Sequence, residues 1–142
     1  MDRFTRNYIA GLVIIVIVFA VIGIRSSWQP RADELNVMLQ ADPLVVNYPY
    51  RFRVVSYQDG VATMLTPRNF DIPAYRFLQV IYPRLHGLAE DDPAMAAAQQ
   101  ALVNAQKRAL DLVEAQPDVK SVHWSLDVRW LADHGIAGPI PR

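Results

Sequence analysis

The residues able to do acid–base or metal chemistry are few. The chain has three histidines, His86, His123 and His134, and no cysteine. This removes disulfides, thiolate zinc sites and a cysteine nucleophile together. His123 and Asp127 fall on one face if the segment is a strand, but four residues of strand span roughly 13 Å, too far for a proton-relay pair. Asp133-His134 would bind a metal only with ligands from elsewhere in the chain. The acidic run Glu90-Asp91-Asp92 suits the positive end of a helix better than a cation site. Ser56, Ser121 and Ser125 fit exposed strand positions. The sequence has no phosphate-binding glycine loop, no dinucleotide fingerprint, no H-E-x-x-H and no G-x-S-x-G. No catalytic, metal-ligating or cofactor-binding residue is assigned, and the expected cofactor complement is none. A small hydrolase or transferase stays a remote alternative that would need His123, His134 and an acid brought together.

Charge suggests recognition instead. Lys plus Arg total 14 against 14 Asp plus Glu, so the chain is formally neutral and is not expected to bind nucleic acid. The balance is uneven along the chain, with a net +3 over residues 51–84 and a net −4 over 85–118. Arg51 and Arg53, with Tyr48, Tyr50 and Tyr57 nearby, would form a basic and aromatic recognition edge of the kind favoured at interfaces. Trp130 would add to it if its ring is not spent on the core. The candidate partner-binding residues are therefore Arg51, Arg53, Tyr57 and Trp130.

The elements that would carry them begin with a membrane anchor. Tyr8 to Ile24 is seventeen residues without a charge, about 25 Å of helix, near the lower bound for a bilayer core. Arg6 and Arg25 can snorkel to the headgroups, and Trp28 is a residue type favoured there, so these three are the expected membrane-interface residues. Cleavage as a signal peptide is disfavoured, because the residues after the apolar run show no A-x-A pattern. The reading is a short tail over 1–7, a transmembrane helix over 8–24, a linker over 25–31, a soluble α+β domain over 32–136 and a flexible tail over 137–142. Lys and Arg tie on the two sides of the anchor, so the positive-inside rule does not orient it. The short N-terminal tail favours an N-in, C-out arrangement. Twelve Arg against two Lys suggests a bacterial source, hence an inner-membrane protein with a periplasmic domain.

Within the domain, a short helix is expected over 32–39, ending at Ala41-Asp42-Pro43. Residues 51–57 and 61–66 flank Asp59-Gly60, the dipeptide of a tight β-hairpin turn. Asp71 has the position of an N-cap for a helix carrying Tyr75, Phe77, Leu78, Ile81, Tyr82 and Leu85, which Pro83 distorts or ends. Asp92-Pro93 opens a long helix over 94–115, with an apolar stripe through Met95, Ala98, Leu102, Ala105, Ala109, Leu112 and Val113. Strict alternation from Ser121 to Trp130 predicts a final strand with Trp124 and Trp130 on its apolar face. The fold class is α+β: an N-terminal transmembrane helix, then a small domain with a β-hairpin, two helices and a C-terminal strand.

The step from the long helix into Val119-Lys120-Ser121-Val122 resembles the helix-to-strand step of the BON domain of bacterial envelope proteins. That likeness covers some thirty residues, lacks a diagnostic glycine motif and carries no function across. The chain as a whole resembles small single-span bacterial membrane proteins of unknown function, which supply no site. The functional expectation is a membrane-anchored accessory, assembly or scaffold factor and not an enzyme, with the lipid bilayer and a membrane or envelope protein as partners. A lipid- or envelope-ligand-binding module is the alternative.

Overall fold

The computed structural model describes residues 2–27 and 29–136. The expectations for the tail over 137–142, for Trp28 and for the Arg25 side chain fall outside what is described. The chain divides into two compact units, one through Pro30 and one from Arg31.

The first unit is one helix, α1 (Arg3–Ser27), which takes in most of the expected tail and part of the expected linker. Its Arg3–Ile24 stretch is long and apolar enough to cross a membrane, and none of it is buried within the protein. Val and Ile dominate it, residues that weaken a helix in water but not one whose only unsolvated alternative is a broken backbone hydrogen bond.

The second unit is α+β. It runs α2 (Pro30–Ala41), α3 (Pro43–Val46), β1 (Val54–Gln58), β2 (Val61–Thr66), α4 (Ala74–Ile81), a 3-10 turn (Pro83–Leu85), α5 (Pro93–Glu114), β3 (Ser121–Leu126) and α6 (Val128–Asp133). Asp59 and Gly60 have φ of 51° and 82°, which makes the two-residue turn that joins β1 antiparallel to β2. β3 returns parallel to β2, giving the order β1-β2-β3. The crossover between parallel strands is α4 and α5, as parallel pairing requires.

α5 starts where its sequence says it should. Asp92 accepts from the N–H of Ala94, and Pro93 fills the first helical position. Its stripe of Met95, Ala98, Leu102, Ala105, Ala109 and Val113 is buried, while Leu112 is half-buried. The small alanines let the helix lie close to the sheet. Val54, Ala62 and Met64 from the sheet, and Leu35 and Leu39 from α2, complete this core.

Two local expectations are corrected. Asp71 does not cap α4: Pro73 occupies that position with no side-chain cap, and Asn69 instead accepts from the N–H groups of Asp71 and Ile72 at 2.9 Å each. Nor does the last strand continue to Trp130. It ends at Leu126, and Asp127 turns the chain into α6 by accepting from the Trp130 N–H at 3.2 Å. Trp130 is therefore a helical residue. It packs at 5.1 Å from Phe77 and 5.6 Å from Tyr50, ring centre to ring centre, in an aromatic cluster of the core.

Candidate functional site

The side chains singled out as a recognition edge are dispersed to three places. Arg53 and Trp130 meet at Asp127, which is 2% exposed. One carboxylate oxygen of Asp127 accepts from the Tyr50 hydroxyl at 2.8 Å and from Arg53 at 3.1 Å. The other caps α6. A buried carboxylate in water-poor surroundings is costly unless hydrogen-bonded, and here both oxygens are satisfied. The Tyr50 hydroxyl, buried and donating to a carboxylate, has its pKa pushed far above the ordinary tyrosine value, burial being the larger cause. This network ties the segment before β1 to the segment after β3. It is architecture, and it gives Arg53 and the Trp130 backbone a structural partner in Asp127.

Tyr57 belongs to a second cluster. Its hydroxyl donates to the Asp118 carbonyl at 2.7 Å. The Asp118 carboxylate receives a two-pronged contact from Arg31, Nε and an Nη each at 2.7 Å, and Arg31 also reaches Glu34 at 2.8 Å. The Arg31 hydrogen bonds hold the Asp118 carboxyl below the usual carboxylate range. Arg31 opens the folded unit, so this fork fastens the start of α2 to the loop between α5 and β3. A matching pair closes the other end of α2: Arg108 on α5 donates to Asp42 at 2.9 Å and 2.7 Å, and that contact holds Asp42 low.

Arg51 is the one of the four that is exposed; Arg53, Tyr57 and Trp130 are half-buried. Arg51 forms no ion pair among the described residues. It lines a groove of about 390 Å³ with Gln40, Val46, Tyr48, Pro49 and Phe52. A second, more open depression adjoins it across Tyr48 and Pro49 and is lined by Pro43, Leu44, Asn47 and Tyr82. Leu44 and Val46 are each about half exposed, at 51% and 52%. The wall shared by the two holds the Tyr48 hydroxyl, buried without a hydrogen-bond partner among the described residues. Burial raises its pKa well above the ordinary value. An apolar groove with one free guanidinium on its wall can receive an apolar group next to an anionic or carbonyl one.

The histidines do not form a site. The His134 ring stacks on Trp130 at 3.8 Å, with Nδ1 2.7 Å from the Trp130 carbonyl. His123 is exposed on the outer face of β3, and Asp127 lies beyond the strand in the core. Among the described residues no three His, Asp or Glu side chains group as metal ligands would. Arg6 is exposed within the first turns of α1, its N–H bonded to the Asp2 carbonyl at 3.2 Å.

Sequence reasoning named Asp127 and Tyr48 but not their roles, the buried cap and the orphaned hydroxyl. Asp127 had a usable signal, since an aspartate three residues before Trp130 is also an N-cap pattern. Tyr48 had none, because an orphaned hydroxyl is a property of packing. No family model, no curated protein and no solved structure matches the chain.

Proposed function

We propose that the chain is a single-pass protein of a bacterial inner membrane, its folded unit periplasmic, that serves as an accessory, assembly or scaffold factor for a membrane or envelope complex. One observation carries the reading. A helix of membrane-spanning length leads directly into a compact unit whose buried carboxylates are spent on its own architecture, while the apolar groove beside Arg51 stays open. Charged groups used for structure are not available for catalysis, whereas an open groove with exposed Leu44 and Val46 at its rim suits a docked side chain.

The experiment is affinity purification from membranes solubilised in mild detergent, comparing the native chain with Arg51→Glu and Val46→Asp. A co-eluting membrane or envelope protein that both variants lose is the expected result. Recovery of no stable partner, or equal recovery with all three chains, overturns the reading. Membrane-impermeant labelling of a cysteine placed at exposed Gln100 tests the orientation, with labelling expected in intact spheroplasts.

A second reading is favoured by the same Arg51: an anionic amphiphile would place its headgroup at the guanidinium and its chain in the groove. Vesicle flotation of the unit from Arg31 onward separates the two. Binding to anionic but not neutral vesicles, lost in Arg51→Glu, supports the lipid ligand and counts against a protein one.

A further inference from the structure

β3 is an edge strand of the sheet, and among the described residues no strand pairs with its outer side. The Ser121 N–H donates to the Gly60 carbonyl and the Asp127 N–H to the Thr66 carbonyl. In a parallel ladder alternate residues make the bonds, so 121, 123, 125 and 127 turn their peptide groups to β2. Those of Val122, Trp124 and Leu126 point away, and no backbone group among the described residues meets them. Exposed edges are normally blunted by Lys, Pro, an inward charge or a bulge. Ser121–Leu126 reads SVHWSL, with none of these, and its pairing with β2 is regular.

We infer that β3 pairs antiparallel with β3 of a second copy of this chain, centred on Trp124. The three unused residues are symmetric about that position. Pairing there sets Trp124 opposite its own copy and Val122 opposite Leu126, as hydrogen-bonded pairs, so every outward N–H and C=O finds a partner. A two-fold interface needs such a self-complementary patch. No Asp, Glu, Lys or Arg stands within 121–126, so the paired strands themselves bring no like charges together. Trp124 is only half-buried, beside a depression of about 180 Å³ lined by Val103, Leu110, Lys107, Gln106 and Arg68, and Val103 is 43% exposed. A neighbouring copy would cover the exposed apolar part of this surface; the Lys107 charge there is already paired with Asp111 at 2.7 Å, and Arg68 Nε donates to the Gln106 side-chain carbonyl at 3.3 Å. Tethering in one bilayer raises the effective concentration of copies for each other.

The test uses the full chain in its own membrane, which has no native cysteine to confuse it. His123→Cys and Ser125→Cys are placed in two differently tagged copies and expressed together. In the inferred register these positions face each other as a non-hydrogen-bonded pair, with Cα atoms about 4.5 Å apart, inside the range of a disulfide. Like positions are diagonal, about 7–8 Å apart, and cannot be bridged without backbone movement. Oxidation should therefore link the mixed pair at least about five-fold more than either variant with itself. His123→Cys mixed with Ser121→Cys should not link above those backgrounds. Both substituted side chains lie on the outer face of the sheet, and an unchanged circular dichroism melt confirms that the fold survives. Equal yields in all mixtures, no dimer in any, or linkage to a different polypeptide each overturns the inference. The pairing and the docked partner fail separately: loss of the cross-link leaves the affinity purification untouched, and the reverse holds.

Discussion

The two edges of the small sheet are finished differently. At β1 the ladder carries a bulge between Val54 and Ser56. The Asn36 side chain closes the peptide of Val54 on both sides, accepting from its N–H at 2.7 Å and donating to its C=O at 2.8 Å. One amide thus imitates the next strand and also stops one from adding. At β3 nothing comparable is found among the described residues, and its six residues pair in regular register and carry no Asp, Glu, Lys or Arg. An edge is closed by a particular donor and acceptor at the right place, and strand composition alone does not reveal whether it is there.

The largest effect is expected where the two edges are tied together. Asp127→Ala strands the Tyr50 hydroxyl and removes the α6 cap, and should cost about 2–4 kcal/mol in urea unfolding of the unit from Arg31 onward. Asp127→Asn keeps the acceptor and should cost clearly less. Next is the closed edge itself. Asn36→Ala exposes the Val54 peptide and should cost about 1–3 kcal/mol, with new self-association measurable by light scattering. If that variant stays as soluble as the native chain, the bulge alone closes the edge.

Gly60 joins the hairpin to the open strand, because its carbonyl accepts from Lys120 and Ser121. At a φ of 82°, with Lys120 side-chain carbons 2.8 Å from where a methyl would stand, Gly60→Ala should cost about 1–2 kcal/mol. Adding Lys120→Ala removes the two 2.8 Å contacts but keeps the Cβ of residue 120 at 3.3 Å and the backbone penalty, so the double variant should recover only part of the loss.

The pH dependence compares charge at the rim with aromatics in the core. Asp42 and Asp118 are held below their unfolded values. Their contribution is complete above about pH 4 and is lost as pH falls through the lower folded values. Tyr48 and Tyr50 are raised, so their contribution is complete below about pH 10 and is lost as pH climbs beyond it. Melting temperature should show a plateau between these limits, and Asp42→Asn should flatten the acid side only. The smallest effect is expected at the open edge. Ser125→Lys, placed in the copy that carries His123→Cys, should change stability by less than about 0.5 kcal/mol, yet abolish its cross-link to Ser125→Cys in the other copy.

Some of this was legible from residue order. Asp59-Gly60 marks its turn because few residues accept a positive φ there, and Asp92-Pro93 marks the start of α5 because cap and proline act locally. The apolar stripe of α5 and the hydrophobic α1 are equally local. Trp130 was misplaced because alternation across three residues fits a strand end and a capped helix start alike. The site was less legible still. Arg51, Arg53 and Tyr57 are neighbours in sequence, but Arg53 finds Asp127 74 residues away and Tyr57 finds Asp118 61 residues away. Nothing short-range announces such pairings. Arg51, which has no ion-pair partner among the described residues, and Tyr48 line one groove, as their nearness in sequence suggested.

The parallel return of β3 sets the order in which the molecule can be completed. Residues 67–120 intervene between β2 and the strand that flanks it, whereas β1 and β2 are joined by two. During synthesis the hairpin can close as soon as it emerges, but its inner strand then waits, half paired, while the whole crossover is made. A nascent chain stalled in α5 would present that waiting strand to its surroundings. Shielding that strand from premature partners is therefore a demand that the order of synthesis itself places on the chain.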